Sequence, residues 1–300
     1  MGSARLAVLL LAVATATCAP SLGPGDALVT STRILAVRAD PAEASPGETM
    51  TLTSLVAGPA GTVTGARIAW SFCTAPRPLT DNDVVSSACM TTSALVGAGA
   101  GPSITATLPA DGCSIFGPDT TAVGQRPTDP DGTGGYYQPL RLDLAGADLT
   151  FDLARIHCDL ADADATLASA FAAAYRLNQN PQLLPLQAAI GSAPAALTAI
   201  PAGARVTLEA SWPASSAETF AYYDEASQTV TSQRESMQVA WYVSGGTLDT
   251  ESTGRAANDP ATTTDDGWTA PGAAGTVHLW VVLRDSRGGV DFASYDLEVE

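Results

Sequence analysis

The sequence contains no lysine: all 14 basic residues are arginine, against 31 aspartate and glutamate residues and a net charge of −17. A surface with this excess of negative charge repels phosphate backbones, so we do not expect nucleic-acid binding. The absence of lysine also excludes a Ser-x-x-Lys catalytic pair and a P-loop for phosphate, because both require that side chain.

Histidine is also scarce, because only His157 and His278 occur. Neither has further ligand residues at the spacing of a zinc site. The sequence has no G-x-S-x-G motif for a serine nucleophile. Paired carboxylates for glycoside hydrolysis could come from the 31 acids, but nothing distinguishes two of them. We therefore expect no enzymatic activity and no cofactor, with a secreted glycan-active hydrolase as the alternative.

Long apolar runs are also missing. The N-terminal run Leu6–Ala16, preceded by Arg5, is shorter than the roughly 20 residues that cross a bilayer. It has the layout of a secretory signal peptide over residues 1–17, followed by a tether rich in proline and glycine over residues 18–30. The alternative is a buried first helix.

Cys18 follows this apolar run directly and resembles the lipidated cysteine in the lipobox of bacterial lipoproteins. Thr15 and Thr17 depart from the lipobox pattern, which usually has leucine three positions before the cysteine and glycine or alanine directly before it. The resemblance implies a lipid anchor on Cys18 and a place in the cell envelope, at the outer membrane. Conventional cleavage near Ala16 or Ala19 would instead give a secreted protein.

The five cysteines of an exported chain suggest disulfide bonds. Assigning Cys18 to lipid leaves four cysteines and three possible pairings. Proximity in sequence favours Cys73 with Cys89 and Cys113 with Cys158, and buried free thiols are the alternative.

A weak internal repeat divides the chain into two halves. Each copy has a turn, a strand that alternates apolar and polar residues, and a later strand with a central tryptophan. The copies are PGETMTLTS (46–54) with IAWSF (68–72), and AGARVTLEA (202–210) with VAWYV (239–243). We interpret Trp70 and Trp241 as core residues.

The repeat, together with a closing hairpin, resembles the immunoglobulin-like β-sandwich, including the PKD-like modules of bacteria. In the hairpin, GTVHLWVVLRD (275–285) is followed by a turn at Gly288 and Gly289, which we expect to supply positive φ angles. The inter-sheet cysteine pair of antibody domains is missing, because Ser54 and Ala210 stand where the first cysteine would be.

The predicted fold is therefore mainly β, with two immunoglobulin-like sandwiches. One covers residues 31–158 and has long loops after Trp70, and the other covers residues 182–300. Between them, residues 159–181 are predicted to form a bracing helix that Asp162 or Asp164 caps. The helix should end near Leu177, and its packing face should contain Leu167, Phe171, Ala174 and Tyr175.

The most polar motif is RPTDPDGTGGYYQPLR (126–141), in which Asp129 and Asp131 are weak candidates for calcium binding. TTTDD (262–266) is a second weak candidate for calcium binding. Neither motif has enough carboxylates for a dedicated site. We favour structural turns for both. One tyrosine of each pair, Tyr136-Tyr137 and Tyr222-Tyr223, should lie in the core, because neighbouring strand residues point to opposite faces.

Several segments together resemble lipoproteins of myxobacteria and related predatory proteobacteria: the Cys18 region, RILAVRADPAEASPGETMTLT, IAWSFC, DGTGGYYQPLR and WVVLRDSRGG. That resemblance implies no activity or binding site. We predict an exported, lipid-anchored surface module that binds or spaces a protein or glycan partner, held to outer-membrane lipid through Cys18. The further alternative is a calcium-stabilised adhesin.

Overall fold

The computed structural model describes residues 26–78, 85–118, 132–160 and 163–300. The predicted signal peptide, Cys18, Asp129, Asp131 and Asp162 lie outside the described residues. As predicted, the protein is mainly β: its described part forms twenty strands and two α-helices. Neither of these helices has the length and apolar character that a bilayer crossing requires.

The first nine strands form one sandwich. They are β1 Arg33–Asp40, β2 Glu43–Ala44, β3 Thr49–Gly58, β4 Gly61–Thr62, β5 Ile68–Cys73, β6 Leu95–Ala100, β7 Ser103–Thr107, β8 Gly135–Leu144 and β9 Thr150–His157. In sheet I, β3 lies between β1 and β7 and also pairs with β4, while sheet II has the order β2-β9-β8-β5-β6. Met50, Leu52, Trp70 and Leu142 lie in the core between the two sheets.

The second sandwich contains the remaining strands. They are β10 Gln187–Ile190, β11 Ala193–Pro194, β12 Arg205–Ser211, β13 Thr219–Asp224, β14 Thr229–Arg234, β15 Met237–Val243, β16 Thr247–Leu248, β17 Ser252–Arg255, β18 Thr263–Thr269, β19 Gly275–Asp285 and β20 Val290–Val299. Sheet III has the order β17-β15-β19-β20, sheet IV has the order β11-β10-β12-β18-β16, and β13 and β14 form a separate hairpin. Trp212, Trp241 and Trp268 are buried between sheets III and IV.

The two sandwiches share one strand order, which confirms the internal repeat. Each half has seven main strands, which are β1, β3, β5, β6, β7, β8 and β9 in the first half and β10, β12, β15, β17, β18, β19 and β20 in the second. In both halves the first, second and fifth of these form one sheet, and the other sheet has the order seventh, sixth, third, fourth. This is an immunoglobulin-like sandwich in which the fourth strand pairs with the third, instead of joining the sheet of the first, second and fifth strands as in antibody constant domains. The repeated motifs fall on equivalent strands: β3 matches β12, and β5 matches β15, so that Trp70 and Trp241 occupy the third strand of their sandwiches. Both tryptophans are buried, as predicted.

Sheets I and III pack against each other through their outer faces. Leu35, Leu55 and Ala57 of sheet I contact an apolar surface formed by Trp280 and Val282 of sheet III. The layers therefore follow the order II-I-III-IV. Strand β19 is buried on both faces, which explains its nearly continuous run of apolar residues.

Three local predictions need correction. The segment after Trp70 contains strands β6 and β7 and helix α1 (Gly112–Phe116), rather than loops alone. In the closing hairpin, Gly288 has a positive φ of 98°, but Gly289 does not. Residues 27–29, which belong to the segment predicted as a tether, pair with Val243 at the end of β15 because Ala27 and Val29 are apolar and become buried.

Helix α2 is shorter than predicted and covers Ala165–Ala174. Asp164 caps its N-terminus by accepting hydrogen bonds from the backbone N–H groups of Thr166 and Leu167. The helix packs Phe171 against the β13–β14 hairpin, whereas Ala174 is exposed. It ends before Leu177 because the following chain extends to form hydrogen bonds with both sandwiches, as described below.

Two cysteine pairs lie at disulfide distance, and they are the pairs that sequence proximity favours. The Cα atoms of Cys73 and Cys89 are 5.6 Å apart, and those of Cys113 and Cys158 are 5.4 Å apart. The first pair joins the end of β5 to a 3-10 turn at Ser87–Met90, and the second joins α1 to the end of β9. Neither pair links the two sheets of a sandwich through their centres.

Candidate functional site: a charged junction between the sandwiches

A network of buried charged residues lies where the two sandwiches and residues 176–183 meet; we call it the charged junction. Its first part is an ion pair between Glu43 of β2 and Arg155 of β9, with Arg155 Nε 3.2 Å from Glu43 Oε2. Both side chains are almost completely buried. The Glu43 carboxylate also accepts hydrogen bonds from the Tyr175 hydroxyl and, at 2.8 Å, from the Asn178 backbone N–H. These contacts offset the cost of burying the charge.

The second part is centred on Arg287, which follows β19. Its Nε donates to Glu235 Oε1 at 2.7 Å, and its Nη2 donates to Glu218 Oε2 at 3.0 Å. Its Nη1 donates to the backbone carbonyl of Arg176 at 3.0 Å. The guanidinium also lies over the ring of Phe220, 4.7 Å from its centre. Arg287 and Glu235 are buried, at 1% and 0% exposure respectively.

The segment after helix α2 connects the two parts. Asn178 donates to Glu43 through its backbone and to Asp285 through its side chain, so it contacts both sandwiches. Asn180 does the same: its side chain donates to the Ala39 carbonyl at 2.6 Å and accepts from the Val290 backbone N–H at 2.9 Å. These asparagines, which follow the predicted end of the helix near Leu177, therefore join the two sandwiches.

Three carboxylates surround the single Arg287 cation, so the junction has an excess of negative charge. The pKa of Glu235 is raised to about 7, chiefly because burial desolvates it and also because of the nearby Asp285 charge, while Arg287 opposes the rise. Burial also raises the pKa of Asp285, although hydrogen bonds from the Gly289 and Arg287 N–H groups lower it. Burial, followed by the charge of Glu43, raises the pKa of Tyr175, so this hydroxyl remains a hydrogen-bond donor.

The carboxylates around Arg287 are engaged by hydrogen bonds within the protein. Each carboxylate oxygen of Glu235 is bonded, one to Arg287 and the other to the backbone N–H of Glu218. Asp285 is bonded to the N–H groups of Arg287 and Gly289. Two clefts in the described chain lie elsewhere, one beside Ala66 and Leu144 and one beside Phe72 and Ala106.

The tyrosine pairs take the alternating arrangement that the sequence predicts. Tyr136 lies in the first core and Tyr223 packs near Phe171, while their neighbours are partly exposed. Tyr137 lies in the charged junction, where its hydroxyl accepts from Arg155 Nη1 at 3.3 Å and donates to the Arg287 carbonyl at 3.4 Å. It therefore bridges the sandwiches.

The remaining candidates are separate from one another. His157 ends β9, 4.2 Å from the Tyr175 ring centre, and His278 Nδ1 lies 2.7 Å from Asp296. In TTTDD, Asp266 points inward to accept from the Thr250 N–H and hydroxyl, while Asp265 is exposed on the opposite face. In the described ranges, no three histidine, cysteine or acidic side chains are grouped to hold a metal ion.

The sequence analysis missed the main residues of the junction. Arg155 lies within the apolar run LARI, and Glu43 occupies a two-residue strand. A charged residue between core positions was the available signal, but its partners are far away in sequence: Arg287 is separated from Glu235 by 52 residues.

The chain matches no protein-family model and no curated protein. Among solved structures it is similar to the D00-D0 domain of intimin (11% identity, TM-score 0.26, covering 90% of this chain and 98% of that chain). It is also similar to the adhesin InvE of Yersinia pseudotuberculosis (13% identity, TM-score 0.24, covering 90% of this chain and 58% of that chain). A third similar structure contains the fibronectin(III)-like modules of CbhA from Clostridium thermocellum (12% identity, TM-score 0.23, covering 88% of this chain and 93% of that chain). These TM-scores are too low to support a statement about function.

Proposed function

We propose that the protein is an exported, lipid-anchored module of the cell envelope that spaces or presents a binding surface and has no catalytic role. The observation that carries this proposal is the charged junction together with the apolar contact of sheets I and III. These contacts hold two sandwiches in one relative orientation, which a spacer requires and a flexible pair of domains lacks. The predicted signal peptide and Cys18 supply the route and the anchor.

The chain path supports an anchor at one end of the layers. Residues 27–29 pair with Val243, where β15 ends, and the closing strand β20 ends beside Gly275 on the same side. The charged junction lies at the opposite ends of β15 and β19, because Met237 pairs with Asp285 there. A lipid on Cys18 would therefore place the junction away from the membrane.

The anchor is tested by labelling cells with palmitate. The wild-type protein should take up the label and sediment with membranes, whereas Cys18→Ser should lose both properties. Cys73→Ser, which changes a cysteine that we assign to a disulfide, is the matched control and should keep the label. Label that persists in Cys18→Ser would disprove the lipid anchor.

The spacer role is tested separately by small-angle scattering of the exported protein. We expect a scattering curve that fits the packed II-I-III-IV layers at both low and physiological salt. A curve that requires an ensemble of separated sandwiches would disprove a fixed spacer, whatever the result for Cys18. Turnover of any member of a glycan panel would favour the hydrolase instead.

A further inference from the structure

Strands β6 and β7 present free edges on the same side of the first sandwich; we call them the open edge. In the described part of the chain, β6 pairs only with β5, and β7 pairs only with β3. Residues 95–107 contain no charged side chain and consist mainly of small residues. Val96 is 52% exposed, which is unusual for a large apolar residue in this chain. The backbone donors and acceptors on this edge are open to a further strand.

The other sheet edges are protected. Strands β2, β4, β11 and β16 have only two residues each. The other long edge strands carry charged residues: β20 has Asp291, Asp296 and Glu298, β1 has Arg33, Arg38 and Asp40, β17 ends with Arg255, and the β13–β14 hairpin has Asp224 and Arg234. Short strands and charged side chains are the usual means of preventing edge pairing. Since β6 has neither, its composition favours pairing.

The open edge is also shaped to receive a strand. A cleft of about 350 Å³ separates β6 from β7. Phe72, Val96, Ala98 and Ala106 contribute to its lining, and so does Asp111, which lies beyond β7. Nothing in the described chain lies within 4 Å of a Cβ atom added at Gly97, so the backbone there is accessible.

We propose that β6 pairs with the β6 strand of a second copy of this chain. Two copies with a net charge of −17 repel each other over most of their surfaces, whereas the uncharged open edge places no acid against another acid. An edge strand also complements itself, because a two-fold axis between two β6 strands gives an antiparallel ladder that closes as a dimer.

The antiparallel arrangement has a consequence that rests on the proposed anchor. Ala100 of β6 pairs with Ala69 near the start of β5, which follows the β3–β4 turn. In that turn Gly61 approaches His278, and His278 lies beside Ser244 at the tether end. Antiparallel β6 strands therefore point the two tethers in opposite directions. The dimer would join copies on two facing membranes.

Sedimentation of the exported protein tests the dimer. We expect a monomer–dimer equilibrium that shifts toward the dimer from about 0.01 M to about 0.15 M salt, as the Debye length falls from about 30 Å to about 8 Å. Val96→Lys should raise the dimer dissociation constant at least about tenfold, because it places two like charges in the ladder. The matched control is Leu177→Lys, an exposed residue (46%) outside the open edge that receives the same charge, and it should have little effect.

A protein that remains monomeric under all these conditions overturns the proposal, even if it binds a peptide from another protein. A dimer that Val96→Lys and Leu177→Lys weaken equally also overturns it. The facing-membrane arrangement is tested with vesicles that hold the protein through an N-terminal histidine tag, which makes the result independent of lipidation at Cys18. Wild-type vesicles should aggregate and Val96→Lys vesicles should not; a solution dimer with dispersed vesicles would disprove the antiparallel geometry.

Discussion

Replacing Arg287 with methionine should strongly destabilise the protein. Methionine fills a similar volume but leaves the buried Glu235 carboxylate without its cation, and Glu218 and the Arg176 carbonyl each lose a donor. Breaking one side of a buried ion pair typically costs about 3–5 kcal/mol of the free energy of unfolding. For a domain of ordinary stability this is a large part of the total.

The assay is urea unfolding followed by tryptophan fluorescence, because all five tryptophans are buried and report on both sandwiches. The matched control is Arg205→Met, which removes the same charge from an ion pair with Asp249 on the exposed surface. We expect little change in that variant, because water and salt screen exposed pairs. Equal losses in the two variants would refute the reasoning that the junction stabilises the stack.

A pH series refines this prediction. The loss in Arg287→Met should be smaller at pH 5 than at pH 8, because protonation of Glu235 removes the uncompensated charge. A loss that does not depend on pH would mean that packing around Arg287, rather than its charge, is responsible.

Three further outcomes follow from the structure. The pKa of Glu235 is raised from 4.5 to about 7, so between these pH values the folded state keeps a proton that the unfolded state has lost. The free energy of unfolding of the wild type should therefore fall, as the pH rises through this range, by up to about 1.4 kcal/mol per pH unit. Glu235→Gln should remove this slope. Replacing Cys113 and Cys158 together with serine opens a loop of 45 residues and should lower the free energy of unfolding by about 4 kcal/mol, measured by thermal unfolding. A reducing agent should then cause no further loss through this disulfide, because the variant lacks it. Asp164→Ala should cost about 1 kcal/mol in urea unfolding and Asp164→Asn much less, since asparagine also caps helices.

The repeat could be recognised from the sequence because it depends on local patterns. Alternation in TMTLTS and RVTLEAS identifies a strand with one buried face, and Trp70 and Trp241 mark the same strand of each copy. Burial of both faces of β19 could have been suspected from its unbroken apolar run. Strand β6 could not, because alanine and glycine give no alternating pattern.

The charged junction could not be predicted in the same way. Each of its ion pairs lies within one sandwich, but the two parts of the network meet only through residues 176–183 and Tyr137, and that meeting depends on how the sandwiches are placed. Asn178 and Asn180 look like residues that end a helix, and they do follow one, but their side chains also bond with the Asp285 carboxylate and the Ala39 carbonyl. The local sequence thus predicts the region where the helix ends, but it does not predict that these asparagines bond with both sandwiches.

The apolar contact and the polar bonds between the sandwiches contribute differently to their relative arrangement. The apolar contact between sheets I and III favours burial but tolerates sliding, because apolar contacts have little directional preference. The hydrogen bonds that Asn178, Asn180 and Tyr137 make to both sandwiches are directional, and a shifted arrangement would break them. We infer that apolar area supplies most of the attraction between the sandwiches, and that these bridging hydrogen bonds and the Arg38–Asp291 ion pair between β1 and β20 select one arrangement. If so, replacing Asn178 and Asn180 together with alanine would leave the ion pairs within each sandwich in place, while the scattering curve would broaden to include more than one arrangement.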